Sequence, residues 1–223
     1  MQDAAYGTLL REPRRALHAR IAETLESQLA ETAESRPEII LAHHCTEARL
    51  IEKAAGLWGK AGQRSLDRSA LAEAAAQFTR ALEQIAILPG TPALRREQIK
   101  LQVALITPLI HVKGYAAAET KAAAEQARSL IEQAVALGEP PEDPLLLFSV
   151  LYGVWVANLV AFNGDAACDF AAQFLALAEK QRATVPLMVG HRLMGISLLF
   201  TGDIAGGRGH LHQTIALYDP ASL

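Results

Sequence analysis

The stretch Trp58-Gly-Lys-Ala61-Gly62-Gln-Arg-Ser65, with Ala74-Ala75-Ala76-Gln77-Phe78 and Ala81-Leu82 following it, decides the fold.

 In full, the second run reads Leu71-Ala-Glu-Ala74-Ala-Ala-Gln-Phe78-Thr-Arg-Ala81-Leu82-Glu-Gln-Ile85. Ala74, Phe78, Ala81, Leu82 and Ile85 recur at three- and four-residue steps, the period of one helix face. The spacing predicts two antiparallel helices. Trp58 fills the space between them, small Gly62 and Ala74 let the backbones approach, and Phe78 wedges against the next unit.

Outward from this pair, the chain is punctuated by residues that stop helices. Pro13, Ser35-Arg36-Pro37, Leu88-Pro89-Gly90-Thr91-Pro92, Gly138 to Pro144, Asn163-Gly164-Asp165 and Thr201-Gly202-Asp203 combine fixed or permissive φ with capping side chains. About ten helices are expected between them. Composition agrees: hydrophobic residues make up 51% of the 223 residues and aromatics only 5%, a balance that suits closely packed helices. No stretch sustains the alternation of a strand, and Ala4 to Leu10 is too short to decide.

The spacing Trp58-x-x-Ala61-Gly62-x-x-Ser65, Ala74-x-x-x-Phe78 and Ala81 resembles a tetratricopeptide repeat, a helix–turn–helix unit of about 34 residues. Ala61 and Ser65 stand where that repeat usually has leucine and tyrosine, and Pro89 comes about three residues late. Gly195, Gly202-Asp203, Leu211 and Ile215 fit the same template. Gly164-Asp165 with Phe174, Ala176 and Leu177 fits less closely, and Lys113-Gly114-Tyr115 marks a longer unit.

Several groups of residues invite a chemical reading. His43, His44 and Cys45 are adjacent, but neighbours on a helix diverge by about 100°, so they cannot converge on one ion. Packing or capping is the expected role. His210 and His212 point to nearly opposite faces. Gly206-Gly207-Arg208-Gly209 follows no strand and is read as a loose helix start, not a phosphate cradle. Gly59-Lys60 resembles the end of a P-loop, yet Ala54 replaces its first glycine and Ala61 its magnesium-binding hydroxyl. Glu31, Glu34 and Glu38, and Glu139, Glu142 and Asp143, solvate helix ends and loops. No catalytic, cofactor-binding or metal residues are therefore expected.

A formal charge of −3 gives no electrostatic footprint for nucleic acid. Cys45 and Cys168 lie far apart and no signal-peptide pattern opens the chain, which points to the cytoplasm. The uncharged run Leu145 to Phe162 approaches the length of a membrane span. Ser149, Gly153 and Asn158 interrupt it, and no basic flank orients it, so a helix buried inside a stack is expected and no membrane partner.

Longer phrases carry a wider resemblance. Tyr6-x-x-Leu9-Leu10, Arg14-Arg15-Ala-Leu-His18, Ile21-Ala22-x-x-Leu25-Glu26, Pro37-Glu38 and Leu41-Ala42-x-His44-x-x-x-Ala48 resemble the junction after the ATPase core of bacterial signal-transduction ATPases. Many of these are fused to class III adenylate or guanylate cyclases. Lys113-Gly114-Tyr115-Ala116-Ala117, Leu151-Tyr152-Gly153-Val154-Trp155 and His210 through Tyr218-Asp-Pro220 resemble the repeat region of that group. The resemblance implies that His44 belongs to a helical linker, and Arg49 replaces the family's usual glycine there. Neither the cyclase nor the P-loop motifs occur in this chain.

The expectation is an all-α, right-handed solenoid of tetratricopeptide-like helix pairs, with a helical linker over 1–50 and the repeats over 51–223. It implies a non-catalytic interaction and regulatory scaffold whose partner is a protein or a linked ATPase or cyclase. Gln63, Asp67, Asn158 and Arg192 are expected to face its groove. The competing expectation is a small-molecule sensor with a pocket near Trp155 and His191. Tyr6, Leu9 and Leu10 at one end, and Leu211, Ile215 and Leu217 at the other, are read as uncapped apolar patches through which the chain self-associates.

Overall fold

The computed structural model describes residues 11–29, 37–139, 141, 143 and 145–218. Among them are ten α-helices and no strand. They are α1 (Arg11–Leu29), α2 (Pro37–Glu47), α3 (Ile51–Asp67), α4 (Leu71–Ile85), α5 (Pro92–Lys113), α6 (Ala118–Ala136), α7 (Leu145–Val160), α8 (Gly164–Gln181), α9 (Thr184–Thr201) and α10 (Ile204–Ala216). The chain divides into two compact units between Pro108 and Leu109, inside α5. Pro108 has no N–H to give the carbonyl of Ala104, so the helix lacks one rung at that point. Residue 50, where the linker was expected to give way to the repeats, lies in the turn between α2 and α3, which pack on each other within the first unit. Pro13, read as a break, lies within the first turn of α1, where a missing N–H costs little.

In both units helices pack on their neighbours in sequence, as in a helical solenoid: α1 on α2, α2 on α3 and α3 on α4, then α6 on α7 and onward to α10. Helices two apart also meet. Gly59 of α3 lies against Leu101 of α5, and α7 touches α9, where the Trp155 indole N–H donates to Ser197 Oγ at 2.8 Å.

One turn recurs. At Arg49, Ser69, Gly138, Phe162, Arg182 and Gly202 the backbone adopts positive φ, between 52° and 94°. The N–H of that residue returns to a carbonyl three residues back, and the next N–H to one five residues back. At Arg49 these bonds are to Thr46 (3.0 Å) and from Leu50 to Cys45 (2.9 Å), and at Ser69 to Leu66 (2.9 Å) and from Ala70 to Ser65 (2.8 Å). This pairing closes the orphan carbonyls at a helix end. The following residue then caps the next helix: the carbonyls of Leu50, Ala70, Asn163, Ala183 and Asp203 accept from Ala54, Ala74, Ala167, Leu187 and Gly207. Two or three residues thus join these successive helices, and the turn residues 162, 182 and 202 stand twenty apart, as do 49 and 69.

Small residues set the helix spacing. A Cβ on Gly62 would come within 2.6 Å of the Phe78 ring, so Phe78, expected against the next unit, seats on the partner helix of its own pair. Gly195 repeats the arrangement with Leu211, and a Cβ there would also meet the Gly207 carbonyl at 3.0 Å. Leu211 is consequently half-buried between α9 and α10 and does not belong to an exposed end patch, whereas Ile215 is 72% exposed. Tyr6, Leu9, Leu10, Glu31, Glu34, Glu142 and Asp219 to Leu223 lie outside the described residues.

The apolar run expected as a buried helix is α7. Phe148, Leu151 and Trp155 join Ala167, Ala171, Phe174, Ala178 and Leu193 in the core of the second unit. Among the described residues one helix, α9, is long and apolar enough to cross a bilayer by length and composition; it packs between α8 and α10.

Candidate functional site

The four residues expected in a groove fall in separate units. Gln63 and Asp67 are exposed on α3, one helical turn apart, and the Gln63 amide donates to Asp67 Oδ1 at 2.8 Å. Asn158 is committed to a turn: its amide donates to the Val154 carbonyl at 2.9 Å, its Oδ1 accepts from Asn163 at 3.3 Å, and its carbonyl accepts the Asn163 N–H. Arg192 is exposed on α9 and lines an apolar cleft of about 300 Å³ with Met188, Val189, Thr214, Ile215 and Tyr218. Trp155, expected beside a ligand pocket, is 5% exposed and part of the core.

The histidines are arranged differently from any reading of their spacing. His44 of α2 meets His18 of α1, Nδ1 to Nδ1, at 2.7 Å. His43 stands edge-on to His18, its ring centre 6.1 Å away. In the other unit His191 of α9 meets His210 of α10 by the same atoms at 2.9 Å. Burial holds the imidazoles of His18, His44 and His191 below their ordinary pKa; Glu47 acts against this at the first pair and Glu179 at His191. Among the described residues no group of three or more His, Cys, Asp or Glu is arranged to hold a metal ion. Cys45 is fully buried, and burial raises its thiol pKa, which suppresses the thiolate that chemistry would need.

A second cleft, of about 380 Å³, is lined by Arg11, Arg14, Arg15, Thr46, Glu47 and Arg49. The arginines gather at the C-terminal end of α2, where a helix presents its negative pole. Arg11, Arg14 and Arg15 share a face by their three- and four-residue spacing, a signal legible in the sequence; that Arg49 joins them depends on the turn.

The sequence matches no protein-family model and no curated protein. The fold is similar to that in the crystal structure of BtubC (BKLC) from P. vanneervenii. The TM-score is 0.62 at 13% identity, over 95% of this chain and 94% of that one.

Proposed function

Taking the shared helical fold as premise, we propose that this chain is a non-catalytic interaction and regulatory scaffold, built as a right-handed solenoid of tetratricopeptide-like pairs. The observation that carries the reading is the recurrent left-handed turn, which joins packed helices at a twenty-residue step within each unit. Contacts between helices two apart, Gly59 with Leu101 and Trp155 with Ser197, are those expected when like helices of successive pairs line a common surface. The partner in this reading is a protein, in line with the resemblance to the repeat region of cyclase-linked ATPases. Gln63 and Asp67 in the first unit, and Arg192 in the second, are exposed polar groups open to such a partner.

The test mixes the purified chain with a purified ATPase–cyclase core of that class and follows binding by interferometry. Saturable binding, weakened about tenfold by Asp67→Arg, supports the reading. ATP turnover by the chain alone, lost on substitution of one of its own residues, overturns it.

The apolar cleft with Arg192 at its rim favours a second reading, a small-molecule sensor for an apolar carboxylate. A saturable thermal shift with a medium-chain carboxylate, lost in Arg192→Leu, would select it.

A further inference from the structure

Two imidazoles that meet through Nδ1 share a single hydrogen bond: one nitrogen donates its proton and the other must hold a free lone pair. Such a pair can carry one positive charge, with one ring fully protonated. It cannot carry two, because both nitrogens would then be donors and both rings cations. This chain has the contact twice, His18 with His44 at 2.7 Å and His191 with His210 at 2.9 Å. Each links consecutive helices, α1 to α2 and α9 to α10, the outermost pairs among the described residues.

We propose that the two histidine pairs are acid-sensitive latches that hold α1 onto α2 and α10 onto α9, and that acidification releases both helices while the intervening pairs stay folded. The inference does not rest on the scaffold reading.

The surroundings fix the direction. Around the first pair stand Arg14 on α1 and His43 and Glu47 on α2, and the Glu26–Lys53 ion pair that joins α1 to α3 acts on the adjacent Cys45. Around the second, Glu179 on α8 acts on His191, α9 carries Arg192, and α10 carries Arg208 and His212; α7 has no charged residue. Glu47 and Glu179 favour a proton, but burial, the dominant influence, opposes it at His18, His44 and His191, and neighbouring imidazoles add to this; the bond itself survives one proton and not two. Since folding lowers these pKa values, the unfolded chain binds more protons at acid pH. The latch stabilisation is therefore complete above the ordinary imidazole value of about 6.5, and is lost as pH falls from there toward the lowered folded values.

The experiment follows amide hydrogen exchange of the full chain at about pH 7.5 and about pH 5, corrected for intrinsic chemistry, in wild type and in His44→Asn with His210→Asn. Asparagine offers a donor or acceptor near the Nδ1 position and does not titrate. In wild type, protection in 11–29 and 204–216 should fall at least about tenfold more than in 51–85, and the variant should lose this difference. Equal acid sensitivity in the variant, or a uniform loss over all helices in wild type, would overturn the proposal. So would abolition of the pH effect by a chelator, since a bridging metal would then be its cause. If the variant fails to fold, the wild-type exchange pattern alone decides.

Discussion

At the residue scale, glycines in one helix separate packing from propensity. Gly62 and Gly56 both lie within α3, but a Cβ at 62 would strike the Phe78 ring at 2.6 Å while one at 56 meets nothing within 4 Å. Gly62→Ala should cost about 1–3 kcal/mol through overpacking, and Gly56→Ala should gain about 0.5–1 kcal/mol from backbone entropy. Urea unfolding of the two variants, read as midpoint shifts of opposite sign, checks this. The buried tryptophans supply a second case. Trp155 donates to Ser197, itself fully buried, and Trp58 donates to Thr46 at 3.0 Å beneath the Arg80 guanidinium. Ser197→Ala strands the indole N–H away from water and should destabilise by about 1–3 kcal/mol in the same assay.

At the scale of elements, the turn is the unit that sets where one helix stops and the next begins, and its strain is distributed unevenly. Gly202 takes positive φ freely, whereas Phe162 does so at 56° with its side chain 86% exposed. Phe162→Gly should therefore stabilise by about 1 kcal/mol and Gly202→Ala destabilise by about as much, measured by thermal unfolding. The same contrast explains what the sequence disclosed. Breaks at Gly138, Asn163-Gly164-Asp165 and Gly202-Asp203 were legible because their side chains suit a turn. The breaks at Arg49, Ser69 and Arg182 were not, since arginine and serine take the left-handed conformation only because the packed helices on either side impose it. The Trp58–Gly62–Phe78 pattern announced a close helix pair, but the Phe78 ring, expected against the next unit, sits on Gly62 of its own pair. The histidine pairs were hidden for another reason: their members lie 26 and 19 residues apart, so only tertiary packing brings them together.

For the whole molecule, the turns matter as surface. A Cβ on Gly164 would meet Thr201 at 2.6 Å, so in the second unit the turn after α7 lies beside the turn after α9. Phe162, Phe200 and Ile204 are all more than half exposed at these turns. Such an edge should bind an environment-sensitive apolar dye, and Phe162→Asn with Phe200→Ser should reduce that fluorescence while leaving the helical circular dichroism unchanged. The constant spacing of the turns has a consequence at the level of the gene. Where 162, 182 and 202 open equivalent junctions, coding segments can be lost or duplicated by two steps without a new connection having to arise. Excision of 164–203 would bring Asn163 directly before Ile204, one capping residue replacing another. Unequal recombination could in this way lengthen or shorten the array while every junction inherited a turn already known to work.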